Sequence, residues 1–152
     1  MLELKHISFE TILPVWSEYL WPGRTSIIEQ CSAIEYNSLP YTYNIDYMAC
    51  KPTFFGLFDG AELVGVNSGH ATEKSYRSRG LYVFEKYRGL GYGIILLEET
   101  VNFAKKEGYE FVWSIPRKSS FSTYFKTGFT LSSEWFGTET SEYNAYAINS
   151  IK

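Results

Sequence analysis

A mixed α/β sheet with helices packed on it is the fold class this sequence predicts, and three observations carry the prediction. Two strand-like runs, residues 54–58 and 62–68, meet at Asp59-Gly60, the dipeptide best suited to the positive φ angles of a tight hairpin turn. An amphipathic helix over residues 91–107 follows the strand-like Leu81-Tyr82-Val83-Phe84 with only a glycine-rich turn between them. The element order β, α, α, β, β, β, α, β, α, β, β then alternates types along the chain. A length of 152 residues with 45% apolar and 20% charged residues suits one domain over 1–152 with a single core.

Each element has its own justification. Leu2 and Leu4 alternate with Glu3 and Lys5 as a first strand, with His6 at its end. Ile12, Leu13, Trp16 and Leu20 recur at helical spacing, and the helix is expected to begin near Pro14 and to end at Trp21-Pro22-Gly23. Thr25 followed by Glu29 predicts a second short helix through Ile34, and residues 36–52 show no clean period and read as loop. After the hairpin, residues 71–79 read as a polar connection to a third strand at about 81–84. In the main helix Ile94, Leu97, Val101 and Ala104 form one stripe, while Lys105-Lys106 before Gly108 complement its C-terminus. Residues 111–114 read as a short buried strand, 119–127 as a helix closed by Gly128, and 130–135 and 143–148 as a final pair of strands.

The turn before the main helix carries the chemistry. In Arg88-Gly89-Leu90-Gly91-Tyr92-Gly93, three glycines leave backbone N–H groups unobstructed, and the helix start adds unpaired donors and the positive end of its dipole. Helix N-termini are usually closed by Ser, Thr, Asp or Asn, and residues 89–97 contain none of these. A ligand phosphate suits that place. The dinucleotide pattern G-x-G-x-x-G fails at Ile94, and a P-loop would need Gly-Lys-Ser or Gly-Lys-Thr.

What remains is L-x-V at Leu81 and Val83 followed by R-x-x-G-x-G at Arg88, Gly91 and Gly93, which resembles the acetyl-CoA-binding motif of the GNAT superfamily of N-acetyltransferases. The resemblance is strongest from about residue 54 to 129 and also covers Tyr124-Phe125-Lys126-Thr127-Gly128-Phe129, similar to the family's Y-x-K-x-G-F ending. It implies a GNAT-like acyl-CoA N-acyltransferase fold with a mostly antiparallel central sheet of about 6–7 strands. It further implies that Leu81, Tyr82 and Val83 hold the pantetheine arm and direct an amide at the thioester oxygen. Arg88, Gly89, Leu90, Gly91, Tyr92 and Gly93 would then hold the pyrophosphate. A fixed N–H donor at that oxygen can be worth ~3 kcal/mol of barrier. Tyr124 would protonate the departing CoA thiolate, since a phenol near pKa 10 and a thiol near 8.5 are close enough for proton transfer. The chain departs from the family at Arg117-Lys118-Ser119, where Asn is common upstream, and at Glu85, where Pro is common after the valine.

An acceptor amine is mostly protonated at neutral pH, with a free fraction on the order of one in a thousand at a lysine-like pKa. His70 is the candidate base because its natural pKa matches the task; Glu73, Glu85 and a water relay are alternatives. Trp16, Trp21, Tyr36, Tyr41, Tyr43 and Tyr47 concentrate where the family builds its acceptor site, either as an aromatic wall for a cationic amine or as packing.

The expected function is therefore direct acetyl transfer from acetyl-CoA to an amine on a small molecule or peptide. The rival is a non-catalytic CoA-binding or partner-binding module on the same fold. A homodimer is admissible. Cys31 and Cys50 show neither metal spacing nor a nucleophile setting, so no metal is expected and transfer needs no covalent enzyme intermediate. A net charge of −3 without a Lys/Arg block argues against nucleic acid. No run of apolar residues suits a membrane span or signal peptide, so the chain reads as cytoplasmic.

Overall fold

The computed structural model describes residues 1–137 and 143–152. Among the described residues seven strands form one sheet: β1 (Leu2–Ile7), β2 (Thr53–Asp59), β3 (Glu62–Thr72), β4 (Ser75–Val83), β5 (Phe111–Ser114), β6 (Thr130–Leu131) and β7 (Ala147–Ser150). Their order is β1-β2-β3-β4-β5-β7-β6, and every neighbouring pair is antiparallel except β4 with β5. This is the mixed, mostly antiparallel sheet the sequence predicts. Gly60 takes the expected left-handed conformation, φ 63°, at the β2–β3 turn.

The α-helices that accompany the sheet among the described residues are α1 (Phe9–Val15), α2 (Tyr92–Glu107) and α3 (Phe121–Lys126). Helix α2 buries Leu96, Leu97, Thr100, Val101 and Ala104 against one face. There they meet Phe55, Leu57, Val64, Tyr76 and Val112. Helix α1 covers the opposite face, where Ile12, Val15 and Trp16 pack on Phe54 and Val66. Burying one such side chain contributes roughly 1.5–3 kcal/mol, so these two layers hold the sheet. One polar cluster crosses the α2 layer: Asn67 Nδ2 donates to Ser78 Oγ and to Thr100 Oγ1, each at 2.9 Å, tying β3, β4 and α2 together.

Four local expectations are corrected. The first helix starts at Phe9, well before Pro14, because Ser8 caps it: its Oγ accepts from the Thr11 N–H at 3.2 Å. Pro14 then sits inside, and the chain widens after it into a π-helical turn over Trp16–Leu20. No helix forms over residues 25–34, because long-range partners take the backbone groups it would use. The Ser32 N–H donates to His70, the Glu29 carbonyl accepts from Arg79, and the Ala33 carbonyl accepts from Asn44 N–H. The supposed polar connection 71–79 is mostly strand. β3 and β4 extend to a turn at Glu73-Lys74, with Ser75, Arg77, Ser78 and Arg79 buried in β4. The last two strands are shorter or displaced, at Thr130–Leu131 and Ala147–Ser150.

Candidate active site

Strands β4 and β5 pair only through Tyr76 with Val112 and Arg77 with Trp113. Ser114 Oγ then donates to the Ser78 carbonyl at 2.8 Å, and beyond this apex the ladder ends. Phe84 N–H bonds the Val64 carbonyl on β3, so strand alternation turns the N–H and C=O groups of Leu81 and Val83 toward the open side. The edge is bent just before them. Val66 faces Tyr82 while Ser68 faces Arg79, which leaves one extra residue on β4. Gly80 supplies the bend at φ 82°, with Trp16 Nε1 donating to its carbonyl at 2.9 Å.

The opening leads to the glycine turn. Gly89 and Gly91 both have φ 81°, a conformation that disfavours any side chain, and Gly91 is the N-cap of α2. No side-chain cap bond and no acidic residue occupies the first turn of α2, so its N–H groups face outward as the sequence anticipates. At Gly93 an added Cβ would lie 3.1 Å from Thr123 Cγ2, so its absence lets α2 approach α3. Arg88 Nε donates to the Val83 carbonyl at 2.9 Å, and its guanidinium lies 5.3 Å from the centre of the Tyr82 ring.

Tyr124 is buried on α3, its ring edge-on to Phe129 at 5.4 Å between centroids. Its hydroxyl has the Ser114 side chain as hydrogen-bond partner, which places it beside the apex of the wedge. Burial raises its pKa above the ordinary phenol value, against the opposing pull of Ser114 and the Arg77 and Arg117 cations. Helix α3 is held by Thr127 Oγ1 donating to the Tyr124 carbonyl at 2.8 Å and by Asn149 Nδ2 donating to the Thr127 carbonyl at 3.0 Å.

One cleft of about 890 Å³ joins these parts. Its lining includes Leu81, Tyr82, Val83, Arg88, Gly89, Gly91, Tyr92, Gly93 and Tyr124. Leu90 is exposed and outside it. Its cations are Arg24, Arg77, Arg79, Arg88, Arg117 and Lys126, and no Asp or Glu lines it among the described residues. Arg77 and Arg79 are residues that sequence reasoning missed. The signal was arginine at alternate positions between Ser75, Ser78 and the L-x-V segment, masked because a polar run resembles a loop.

His70 is placed differently. It is fully buried in β3 and outside the lining of the cleft. Its Nε2 accepts from Ser32 N–H at 3.2 Å, and its Nδ1 lies 3.2 Å from the Ala71 carbonyl, which fixes the proton on Nδ1. Burial first, and then the neighbouring Arg77, lower its pKa to about 3. Glu73 and Glu85 are exposed and also stand outside the lining. Of the six N-terminal aromatics, Trp21 and Tyr41 line the cleft. Trp16 and Tyr47 are buried, Tyr36 packs on Phe111 and Trp113, and Tyr43 is exposed. Burial pushes the Cys31 thiol up to about 11, and its Sγ donates to the Cys50 carbonyl at 2.9 Å, a setting opposite to that of a reactive thiolate.

A mixed sheet that splays between a parallel strand pair, with a glycine-rich helix start at the mouth of the splay, defines an acyl-CoA N-acyltransferase fold. The model of the acetyltransferase (GNAT) family matches residues 16–129, and the chain belongs to that family. No curated protein matches. Among solved structures, the PaiA N-acetyltransferase of Thermoplasma acidophilum in complex with coenzyme A is 22% identical, with a TM-score of 0.55 over 66% of this chain and 61% of that one. The IAA acetyltransferase of Bacillus cereus is 16% identical, with a TM-score of 0.67 over 99% of this chain and 100% of that one. The ribosomal-protein-S18-alanine N-acetyltransferase of Escherichia coli is also 16% identical, at 0.64 over 99% and 94%. At these identities the likeness is one of fold.

Proposed function

We propose that this protein transfers acetyl from acetyl-CoA to a primary amine by direct attack on the thioester. The observation that carries the reading is the wedge between β4 and β5, where Leu81 and Val83 have no neighbouring strand on their open side and lead straight to the uncapped start of α2. The pantetheine arm would complete the β4 edge as an added strand, and the pyrophosphate would lie on the N–H groups from Gly89 to Gly93 beside Arg88. A β4 amide N–H aimed at the thioester oxygen would stabilise the negative charge that grows there.

The amine nitrogen forms the new bond to the carbonyl carbon, the carbon–sulfur bond breaks, and the thiolate takes a proton from Tyr124. The raised pKa keeps Tyr124 protonated across the neutral range, so the donor form is fully populated. Arg77 and Arg117 favour the phenolate left behind. The amine's own proton leaves to water, because His70 is sequestered and no carboxylate lines the cleft among the described residues. His70 instead serves as a neutral pin that holds the 25–34 segment over β3.

Calorimetry with acetyl-CoA and thiol release across an amine panel test the reading together. Tyr124→Phe should lower kcat by roughly 10²-fold or more while the acetyl-CoA Kd stays within twofold. Unchanged kcat removes the acid role, and saturable binding with no CoASH under any amine makes the protein a CoA-binding module.

A further inference from the structure

Influence on Tyr124 does not account for the two charges that β4 buries at the inner end of the cleft. Tyr76 and Ser78 point to the α2 layer, where they meet Leu97 and Thr100, so Arg77 and Arg79 share the opposite face. Both line the cleft, and they are only 8% and 5% exposed. The Arg77 guanidinium lies 5.1 Å from the centre of the Trp113 ring, and its buried Nε and Nη1 have no hydrogen-bond partner. Arg79 sits between the Trp16 and Trp21 rings, at 5.0 and 5.2 Å, and Nη1 donates to the Glu29 carbonyl at 2.9 Å. Neither forms an ion pair among the described residues, where the pairs are Met1–Asp59, Lys5–Glu3, Lys86–Glu62 and Lys152–Glu110, all at the surface.

Two like charges side by side with no ion pair among the described residues oppose folding, since each loses hydration that no direct carboxylate contact there replaces. Burial lowers the Arg77 pKa to about 10, and burial with the adjacent Arg77 lowers that of Arg79 to about 9, yet both remain cations at neutral pH. An anion entering the cleft would offset that strain. The donor's phosphates are not suited to the role, because their cradle is at Arg88 to Gly93, past the opposite end of β4 from Arg77 and beyond the bend at Gly80. A guanidinium held over indole rings still has N–H donors in the fork arrangement that matches a planar anion.

We propose that Arg77 and Arg79 form the acceptor subsite and bind a carboxylate, so that the acceptor is a small molecule bearing both a primary amine and a carboxylate. The inference rests on the acetyltransferase reading for the word acceptor, and its test separates the two. Intrinsic tryptophan fluorescence of the wild-type protein is titrated with N-acetyl amino acids and their C-terminal amides as matched pairs, because Trp113, Trp16 and Trp21 all touch the two guanidinium groups. At least one acid should bind tenfold or more tighter than its amide, and Arg77→Met should abolish the difference, with Arg77→Lys restoring part of it. Equal binding within every pair, or no saturable binding of any acid, overturns the subsite, and this arm needs no variant to fold.

Release of CoASH from acetyl-CoA with free amino acids against their amides supplies the second arm. The kcat/KM ratio of acid to amide should be at least tenfold in the wild type and fall toward one in Arg77→Met. Turnover that does not distinguish acids from amides overturns the subsite and leaves the acetyltransferase reading standing. Discrimination in fluorescence with no CoASH from any amine overturns the acetyltransferase reading and leaves the carboxylate site.

Discussion

Acid should weaken this fold through His70, and the size of the effect follows from the site. The folded protein holds the ring neutral, with Nε2 accepting from Ser32 and the pKa lowered to about 3, whereas in the unfolded chain it titrates near 6.5. Between those values the unfolded state carries one proton more than the folded state, so stability rises with pH. The contribution is complete above about pH 6.5 and is lost as pH falls. From pH 7.5 to 5.0 the loss from this one group is about 2 kcal/mol. Urea unfolding followed by tryptophan fluorescence at the two pH values measures it, with His70→Gln as reference, since a Gln carbonyl can still accept from Ser32. The wild type should lose about 2 kcal/mol more than the variant over the interval. Equal losses would refute the reasoning: His70 would then titrate in the fold near its ordinary value and be fit to act as a base.

Further outcomes follow from the wedge and the turn. With an acceptor amide, which does not draw on the Arg79 cation, kcat/KM should rise with pH as the amine deprotonates and show no falling limb below pH 10, because burial moves Tyr124 above its ordinary value; a decline at pH 8–9 with that acceptor would assign the proton to another group. Gly91→Ala, at φ 81° and in the proposed phosphate cradle, should lower stability by about 1–2 kcal/mol and raise the acetyl-CoA Kd on the order of tenfold. A Kd within twofold by calorimetry removes Gly91 from that cradle. At Gly80 a Cβ would overlap the Trp16 indole as well as adopt a positive φ, so Gly80→Ala should cost about 3 kcal/mol or more in urea unfolding; a loss under about 1 kcal/mol would mean that the bend does not depend on this contact.

The parts of the protein legible in the sequence are those whose physics is local. The Asp59-Gly60 hairpin, the α2 stripe and the glycine turn each declare themselves within a few residues, and the order of elements then places Tyr124 near the glycine turn. Long-range partners obscured the rest. β4 was hidden from Ser75 to Gly80 because its buried polar groups are satisfied by Asn67 and Ser114, or stacked on Trp16, Trp21 and Trp113, from distant parts of the chain. Residues 25–34 carry a weak helix-start signal but are held out of a helix by His70, Arg79 and Asn44. The half of the cleft proposed to hold the donor was therefore readable as a motif. The other half is assembled from Trp21, Tyr41, Arg77, Arg79 and Arg117, which no spacing rule connects.

The bond from Arg88 to the Val83 carbonyl has a meaning for solubility as well as for binding. A strand that loses its neighbour halfway along is a template on which a foreign chain can grow by β-addition, the first step of many aggregation routes. Here the template is a few residues long, kinked at Gly80, and closed at its far end by a guanidinium that blocks the carbonyl while keeping a positive charge at the mouth. An intruding peptide strand has to displace that cation and gains only a short register. A polyanionic ligand can draw the same cation onto itself, so the lock that hinders other chains is one that the proposed donor would be equipped to open.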